Sequence, residues 1–159
     1  MAIVEFALVA SFLVAMMLPV VDIGMGFYYK SRVMTAAEAG AQYALEHSWN
    51  GNSSATQTAI TTAVTSATDL SVSATPAPSL SCKCADGSQL NAPTNLPSSP
   101  FTPSTCTALA ATNCTGSNNP NSPGAYATVN ARVTYTPLFA FFSFGNSVTL
   151  NASSTVRIQ

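Results

Sequence analysis

The chain has 159 residues, of which 47% are apolar and only 7% are charged, against about 25% charged in a typical soluble domain. Its five basic and six acidic residues are scattered singly, so they form no basic patch that would neutralise nucleic-acid phosphates. With a single histidine and no Gly-rich phosphate loop, the sequence predicts no enzyme, no cofactor and no metal site. It favours a structural or membrane-associated protein.

The N-terminal segment is apolar, and its only charged side chain before Asp22 is Glu5. Residues 6–21 fall just short of the roughly 20 residues that span a bilayer core, and residues 2–4 extend the segment to that length. An ionisable group in such a helix is costly, so Glu5 is predicted to contact a specific partner. A cleavable signal peptide is the alternative. It would have a basic leading region, whereas the only early charge here is Glu5, and it would end in a small-residue cleavage site, which residues 18–22 do not offer.

The next segment predicts that the helix continues, because MGFYYKSRVMTAAEAGAQYALEH is rich in Ala, Met and Glu and contains no proline. One apolar stripe of mainly small residues recurs in it at spacings of three and four, at Tyr29, Val33, Ala36, Ala37, Gly40, Tyr43 and Ala44. We predict one helix over residues 2–47, about 70 Å long, which is apolar all round in its first half and amphipathic in its second. Turn-forming residues 48–51 end it.

The middle of this helix contains three weak helix formers, Pro19, Gly24 and Gly26. Proline has no backbone N–H to donate to the carbonyl four residues earlier, and glycine costs backbone entropy. The sequence therefore predicts a kink or an unwound turn between these residues.

The pattern after the helix predicts a small β-rich head. The Ala/Thr run over residues 52–68 is interpreted as a short second helix, with a strand as the alternative. Alternation of period two then predicts strands near residues 70–75, 80–84, 128–136 and 148–158. The fold class is thus predicted to be α+β, a long N-terminal helix (residues 1–50) packed against a small antiparallel sheet in an extracellular head (residues 51–159).

The head contains a long Ser/Thr/Pro-rich loop over residues 85–124, and the four cysteines lie in or beside it: Cys82, Cys84, Cys106 and Cys114. An even count in so polar a segment predicts two disulfides and an oxidising compartment. A zinc site is the alternative, but the cysteine spacing and the lack of a nearby histidine disfavour it. Cys82 and Cys84 share one strand face, so each is predicted to pair downstream. Sequence does not choose the pairing, and we expect the nested one, Cys84 with Cys106 and Cys82 with Cys114.

The opening MAIVEFALV, in which glutamate stands fifth, resembles the mature N-terminus of type IV pilins. IVEFALV, then a proline, VVDIGMGFYY and AAEAGAQYAL are similar to the TadE-type pilin-like proteins of the tight-adherence (Tad) branch. The C-x-C pair, two further cysteines and the closing LNASSTVRIQ agree with that family's C-terminal half. The resemblance covers residues 2–48 and 80–159, and the long loop and the early position of Pro19 depart from it.

This resemblance implies a structural subunit that enters the bacterial inner membrane and loses a leader to a prepilin peptidase. Optional N-methylation and extraction by the pilus assembly machinery would follow, giving an extracellular helical filament of identical subunits, a pilus used for attachment. Met1 would be the residue left after cleavage. A basic leader before Met1 would also reconcile the positive-inside rule with an oxidised head that follows Lys30 and Arg32.

Four residues of the helix are expected to act in assembly: Met1, Glu5, Phe6 and Asp22. Glu5 is expected to pair with the α-amino group of Met1 in a neighbouring subunit, and a position at headgroup level is its alternative. Asp22 either pairs with Lys30 or Arg32 of another subunit or, as is usual for a surface charge, faces water or headgroups.

Two other features have competing interpretations. The aromatic run LFAFFSF at residues 138–144 is predicted to be core, with an exposed adhesive or subunit-contact patch as the alternative. His47 beside Glu46 is predicted to be a helix-end histidine that favours the helix dipole, and not an acid/base pair. Two functions therefore compete: a polymerising pilin, with a minor priming subunit as its variant, and a monomeric membrane-tethered envelope domain for binding or adhesion.

Overall fold

The computed structural model describes residues 2–49, 51, 54–84, 106, 124–138 and 147–158. These residues form two helices, α1 (Ala2–Glu46) and α2 (Ser54–Ser66), and three strands, β1 (Ser79–Lys83), β2 (Gly124–Tyr135) and β3 (Val148–Arg157). The strands make one antiparallel sheet in the order β1-β2-β3. The predicted α+β class, a long apolar helix on a small antiparallel sheet, is confirmed. The predicted division into residues 1–50 and 51–159 stays a prediction.

The two halves of α1 differ in burial. From Ile3 to Ile23 every large apolar side chain is exposed, and Ile3 reaches 85%. The second half buries one stripe of mainly small residues, Val33, Ala36, Ala37, Gly40, Ala41 and Ala44. Tyr29 and Tyr43 flank this stripe and are partly buried. The apolar stripe predicted from the helical spacing is therefore the face that meets the head.

Most of the head's core comes from this stripe, two side chains of α2 and the inner face of β2. Ile60 and Val64 of α2 are fully buried, as is Val129 of β2. The three elements meet at Gly40, where an added β-carbon would lie 2.5 Å from Cγ2 of Val64 and 2.8 Å from Cγ1 of Val129. Because these distances are shorter than van der Waals contact, only glycine lets α1 approach α2 and the sheet this closely.

The C-terminus of α1 closes with a Schellman motif. Ser48 adopts a positive φ of 42°, its N–H donates to the carbonyl of Leu45 at 3.1 Å, and the N–H of Trp49 donates to the carbonyl of Ala44 at 3.0 Å. These two bonds satisfy carbonyls that have no partner inside the helix. The turn also places Trp49, which is 4% exposed, in the core beneath the helix end.

Most predicted elements after α1 are confirmed. The second helix is α2, and the predicted strands at 80–84, 128–136 and 148–158 correspond to β1, β2 and β3. The strand expected near residues 70–75 is wrong, because this segment makes only an isolated bridge between Ser73 and Arg132. Val72 is buried there, which explains the alternation, but Pro76 and Pro78 follow directly and cannot donate to a sheet ladder.

Candidate functional site

The exposed apolar half of α1 is the first part of the candidate site. Among the described residues, α1 alone is long and apolar enough to cross a membrane, and none of its most apolar window is buried. The helix rises about 30 Å from Ile3 to Asp22, which equals the thickness of a bilayer's hydrocarbon core. So large an apolar surface needs a cover of lipid tails or of other apolar helices.

Two of the residues expected to act in assembly lie on this surface. Glu5 is exposed within the first turn and a half of α1, and Phe6 beside it is 75% exposed. Met1 lies outside the described residues. The pairing of Glu5 with the amino group of a neighbouring Met1 therefore stays a prediction, and the exposure of Glu5 leaves its carboxylate accessible to another subunit.

The second part of the site is the junction at Asp22, where the exposed half of α1 ends and the head begins. The backbone N–H of Leu138, just beyond β2, donates to Oδ1 of Asp22 at 2.9 Å. The Tyr135 hydroxyl lies 3.3 Å from the backbone oxygen of Asp22 and 3.4 Å from its Oδ1. Asp22 thus ties the end of β2 to the helix within one chain. Its predicted pairing with another subunit stays a prediction.

Tyr135 is a site residue that the sequence did not identify. Its ring packs against that of Tyr29 with 4.9 Å between the centroids, and burial together with the Asp22 carboxylate raises the pKa of its hydroxyl above 10. The hydroxyl therefore remains a protonated donor at neutral pH. The only sequence signal was the inward position of Tyr135 in the alternation of β2, which marks core and not a contact with a helix residue far along the chain.

The two basic residues beyond the junction also make contacts within the chain. The ammonium group of Lys30 donates to the backbone carbonyl of Asn151 in β3. Arg32 donates through Nε to the Tyr28 hydroxyl at 3.1 Å, and its guanidinium carbon lies 5.2 Å from the centroid of the Tyr28 ring. Lys30 therefore fastens β3 to α1, whereas Arg32 is held on the surface of the helix.

The predicted helix break is not seen in this chain, since α-helix is continuous through Pro19, Gly24 and Gly26. The unwound turn was expected because Pro19 removes one hydrogen bond, but the helix continues past it to Glu46. An added β-carbon at Gly24 or Gly26 would meet nothing within 4 Å, so neither glycine is required by packing inside the chain. A departure from helix in a filament stays a prediction.

The cysteines form a second, smaller cluster with Ala125 at the end of the sheet. Cys82 is bonded to Cys106, with 5.5 Å between their α-carbons, so the expected nested pairing is wrong. Cys84 is also disulfide-bonded, and Cys114 lies outside the described residues. Cys82 and Cys84 are about 7 Å apart along one strand face. Across a long loop, sequence spacing does not show which of two such close cysteines pairs with Cys106.

The remaining candidates are His47, a metal site and the aromatic run at residues 138–144. His47 is exposed, stacks on the ring of Tyr43 with 4.0 Å between centroids, and contacts the backbone oxygen of Tyr43 through Nδ1 at 3.0 Å. In the part of the chain that the structure describes, no three His, Cys, Asp or Glu side chains lie close enough to hold a metal ion. Leu138 is 64% exposed, and the rest of the aromatic run 138–144 lies outside the described residues.

Residues 1–42 match the family model described as TadE-like protein. The N-terminal segment is therefore similar to TadE-like proteins. The TadE-like match contains the exposed apolar surface, Asp22 and most of the buried stripe, and it suggests a membrane-anchored protein associated with Tad pilus machinery in general. No curated protein and no solved structure matches the chain.

Proposed function

We propose that this chain is a structural pilin subunit, without catalytic activity, that polymerises through α1 into an extracellular Tad-type pilus used for surface attachment. The inner membrane would hold α1 before assembly, and a prepilin peptidase and the pilus assembly machinery would act on the chain. The observation that carries the proposal is the contrast within α1, a single unbroken helix whose first half is exposed and apolar while its second half is the core of the head.

The exposed half suits two successive environments. Each large apolar side chain gains about 1.5–3 kcal/mol when it leaves water, and either lipid tails or neighbouring apolar helices supply that gain. Moving the apolar side chains from lipid tails to neighbouring helices therefore changes their free energy little. Glu5 is the exception, because in a dry bundle of helices its carboxylate requires a cation.

A cation that pairs with Glu5 would fix the axial offset between neighbouring helices in such a bundle. The α-amino group of a neighbouring Met1 has a reference pKa of about 7.7–8.0 and is mostly protonated at neutral pH. An axially offset neighbour can bring this group alongside Glu5, whereas the terminus of the same rigid helix points along its own axis. Removal of the carboxylate would leave an unpaired buried amine, at a cost of about 3–5 kcal/mol per subunit.

The test compares Glu5→Ala with Glu5→Asp and with a matched control, Glu38→Ala, in cells that make the chain. Glu38 is exposed on the part of α1 that carries the head, so the control removes the same charge outside the apolar surface. Filaments are sheared from the cells, and the chain is quantified in the sheared and membrane fractions. We expect Glu5→Ala protein in the membrane but not in filaments, partial incorporation of Glu5→Asp, and normal incorporation of Glu38→Ala.

The wild-type fractions separate the competing functions. A chain that forms the bulk of the sheared filament is a major pilin, and one found there in trace amounts next to another main subunit is a minor, priming pilin. A chain confined to the membrane fraction is a tethered monomer, which contradicts polymerisation. Normal filament yield from Glu5→Ala cells contradicts the pairing of Glu5 with Met1.

A further inference from the structure

The outer face of the sheet, opposite to the face that packs on α1, carries an open groove centred on Arg132. Along β2, Ala131 and Val133 are buried, whereas Arg132 and Thr134 are exposed. Two shallow concavities of about 390 Å³ and 460 Å³ share Arg132 and Thr75 in their walls. We call their combined surface the Arg132 groove, and its other polar side chains are Ser71, Ser73, Asn130, Thr134, Asn151 and Ser153.

The backbone of Arg132 is held firmly at the centre of this groove. Its N–H donates to the carbonyl of Ser73, and its carbonyl accepts from the N–H of Ser73, both at 2.8 Å. On the other side, Arg132 pairs with Asn151 in the β2–β3 ladder. The guanidinium therefore projects from a backbone position fixed by two neighbours, and none of the residues that line the groove is acidic.

The polar side chains around Arg132 are short, uncharged and able to both donate and accept hydrogen bonds, and the rest of the lining is apolar: Pro76, Ala131, Val133 and Ala152. Thr75 Oγ1 lies 3.4 Å from Ser73 Oγ, and Asn130 Nδ2 lies 3.5 Å from the backbone oxygen of Pro76. These long contacts use little of the hydrogen-bonding capacity of the hydroxyl and amide groups. The lining thus combines one planar cation with several groups that match the hydroxyls of a sugar.

The shape and charge of the groove narrow the class of ligand. A single arginine does not neutralise the many phosphates of a nucleic acid, and a groove this shallow and open does not enclose a small apolar molecule. A guanidinium presents paired N–H donors that fit a carboxylate bidentately. A polymer that repeats carboxylates and hydroxyls and passes across both concavities satisfies all these requirements.

We propose that the Arg132 groove binds acidic polysaccharides, with Arg132 pairing to a uronate carboxylate and the neighbouring hydroxyl and amide side chains bonding to sugar hydroxyls. Binding at a single shallow groove is weak, and repetition of the groove along a filament would raise the overall avidity by a factor of about 10²–10⁴. That gain rests on the proposed function, whereas binding by the head itself does not.

The test uses the full chain reconstituted at high density in vesicles of neutral lipid, so that many grooves are displayed without any filament. Fluorescent polygalacturonate is the probe, with neutral dextran and polyglutamate of equal charge density as comparisons. We expect polygalacturonate to bind at least tenfold more tightly than either comparison polymer. Arg132→Gln is expected to lose at least tenfold in affinity. Arg132→Lys, which keeps the charge but not the paired N–H donors, is expected to lose at least threefold.

The matched control is Arg157→Gln. Arg157 is exposed on the same sheet face, opposite Tyr126, and does not line the groove, so its substitution removes the same charge elsewhere. It should bind within twofold of wild type, and native near-ultraviolet circular dichroism should show that each variant is folded. Equal losses in Arg132→Gln and Arg157→Gln, equal binding of polyglutamate, or no wild-type binding would overturn the proposal. Filament yield, scored separately in cells, reports on polymerisation alone.

Discussion

Substitution of Gly40 by alanine tests the packing that joins α1 to the head. The new β-carbon would stand 2.5 Å from Cγ2 of Val64 and 2.8 Å from Cγ1 of Val129. Both valines are fully buried and are stiff about χ1, so neither methyl can move aside without a shift of α2 or the sheet. Overpacking of this kind costs about 1–3 kcal/mol, and it opposes a gain of about 1 kcal/mol from replacing glycine in a helix.

The matched control is Gly24→Ala, because a β-carbon there meets nothing within 4 Å. Both variants add one methyl group to the same helix and gain the same helix propensity, so their difference isolates the clash. We expect Gly40→Ala to be less stable than Gly24→Ala by about 1–3 kcal/mol. At about 2–4 °C per kcal/mol for a chain of this size, the difference in Tm is between a few and about 12 °C.

The measurement is thermal unfolding of the full chain in detergent, followed by near-ultraviolet circular dichroism. The chain's single tryptophan, Trp49, is buried in the head, so the tryptophan band of this signal reports loss of the head's packing. Gly40→Ala should destabilise the Val64→Ala variant less than it destabilises the wild type, since one of the two contacting methyl groups is then gone. A Gly40→Ala protein as stable as Gly24→Ala would refute the close approach of the three elements.

Two further predictions concern the head. The Cys82–Cys106 disulfide closes a sequence separation of 24. Its removal by a double change to serine should lower the free energy of unfolding in urea by about 3 kcal/mol. Labelling of these two thiols in native, unreduced wild-type protein would contradict the bond. The free energy of unfolding should also fall as the pH rises above about 10, because the raised pKa of Tyr135 keeps the native hydroxyl protonated while the unfolded one ionises. Tyr135→Phe should flatten this decline in urea titrations between pH 8 and pH 11, and an identical decline in wild type and variant would show that Tyr135 is not its source.

Much of the fold followed from the period of the apolar pattern. The spacing of Val33, Ala36, Ala37 and Gly40 identified the buried face of α1 because burial and helical geometry repeat together. The alternation in β2 identified its inner face for the same reason. At residues 70–75 alternation was misleading, because Val72 is buried but only Ser73 joins the ladder.

The site was less predictable because its contacts join distant positions. Asp22 meets Tyr135 across 113 residues, and Lys30 meets Asn151 across 121, so no local spacing encodes either contact. The disulfide pairing failed for a related reason, since Cys82 and Cys84 are equivalent until the fold places Cys106. Arg132 had no distinguishing signal in the sequence, where it is one polar residue on the outer face of an alternating strand.

The absence of any linker within α1 has a mechanical consequence. The helix that carries the exposed apolar surface continues without interruption to Glu46, and its second half is itself part of the head's core. Tension applied to the sheet along the axis of α1 therefore acts as shear on the interface between α1 and the sheet. The contacts from Tyr135 to Asp22 and from Lys30 to Asn151 share that load at the end nearest the exposed half of α1. Twisting the head turns the helix with it, so the direction in which the sheet faces is set by the rotation of α1 about its own axis.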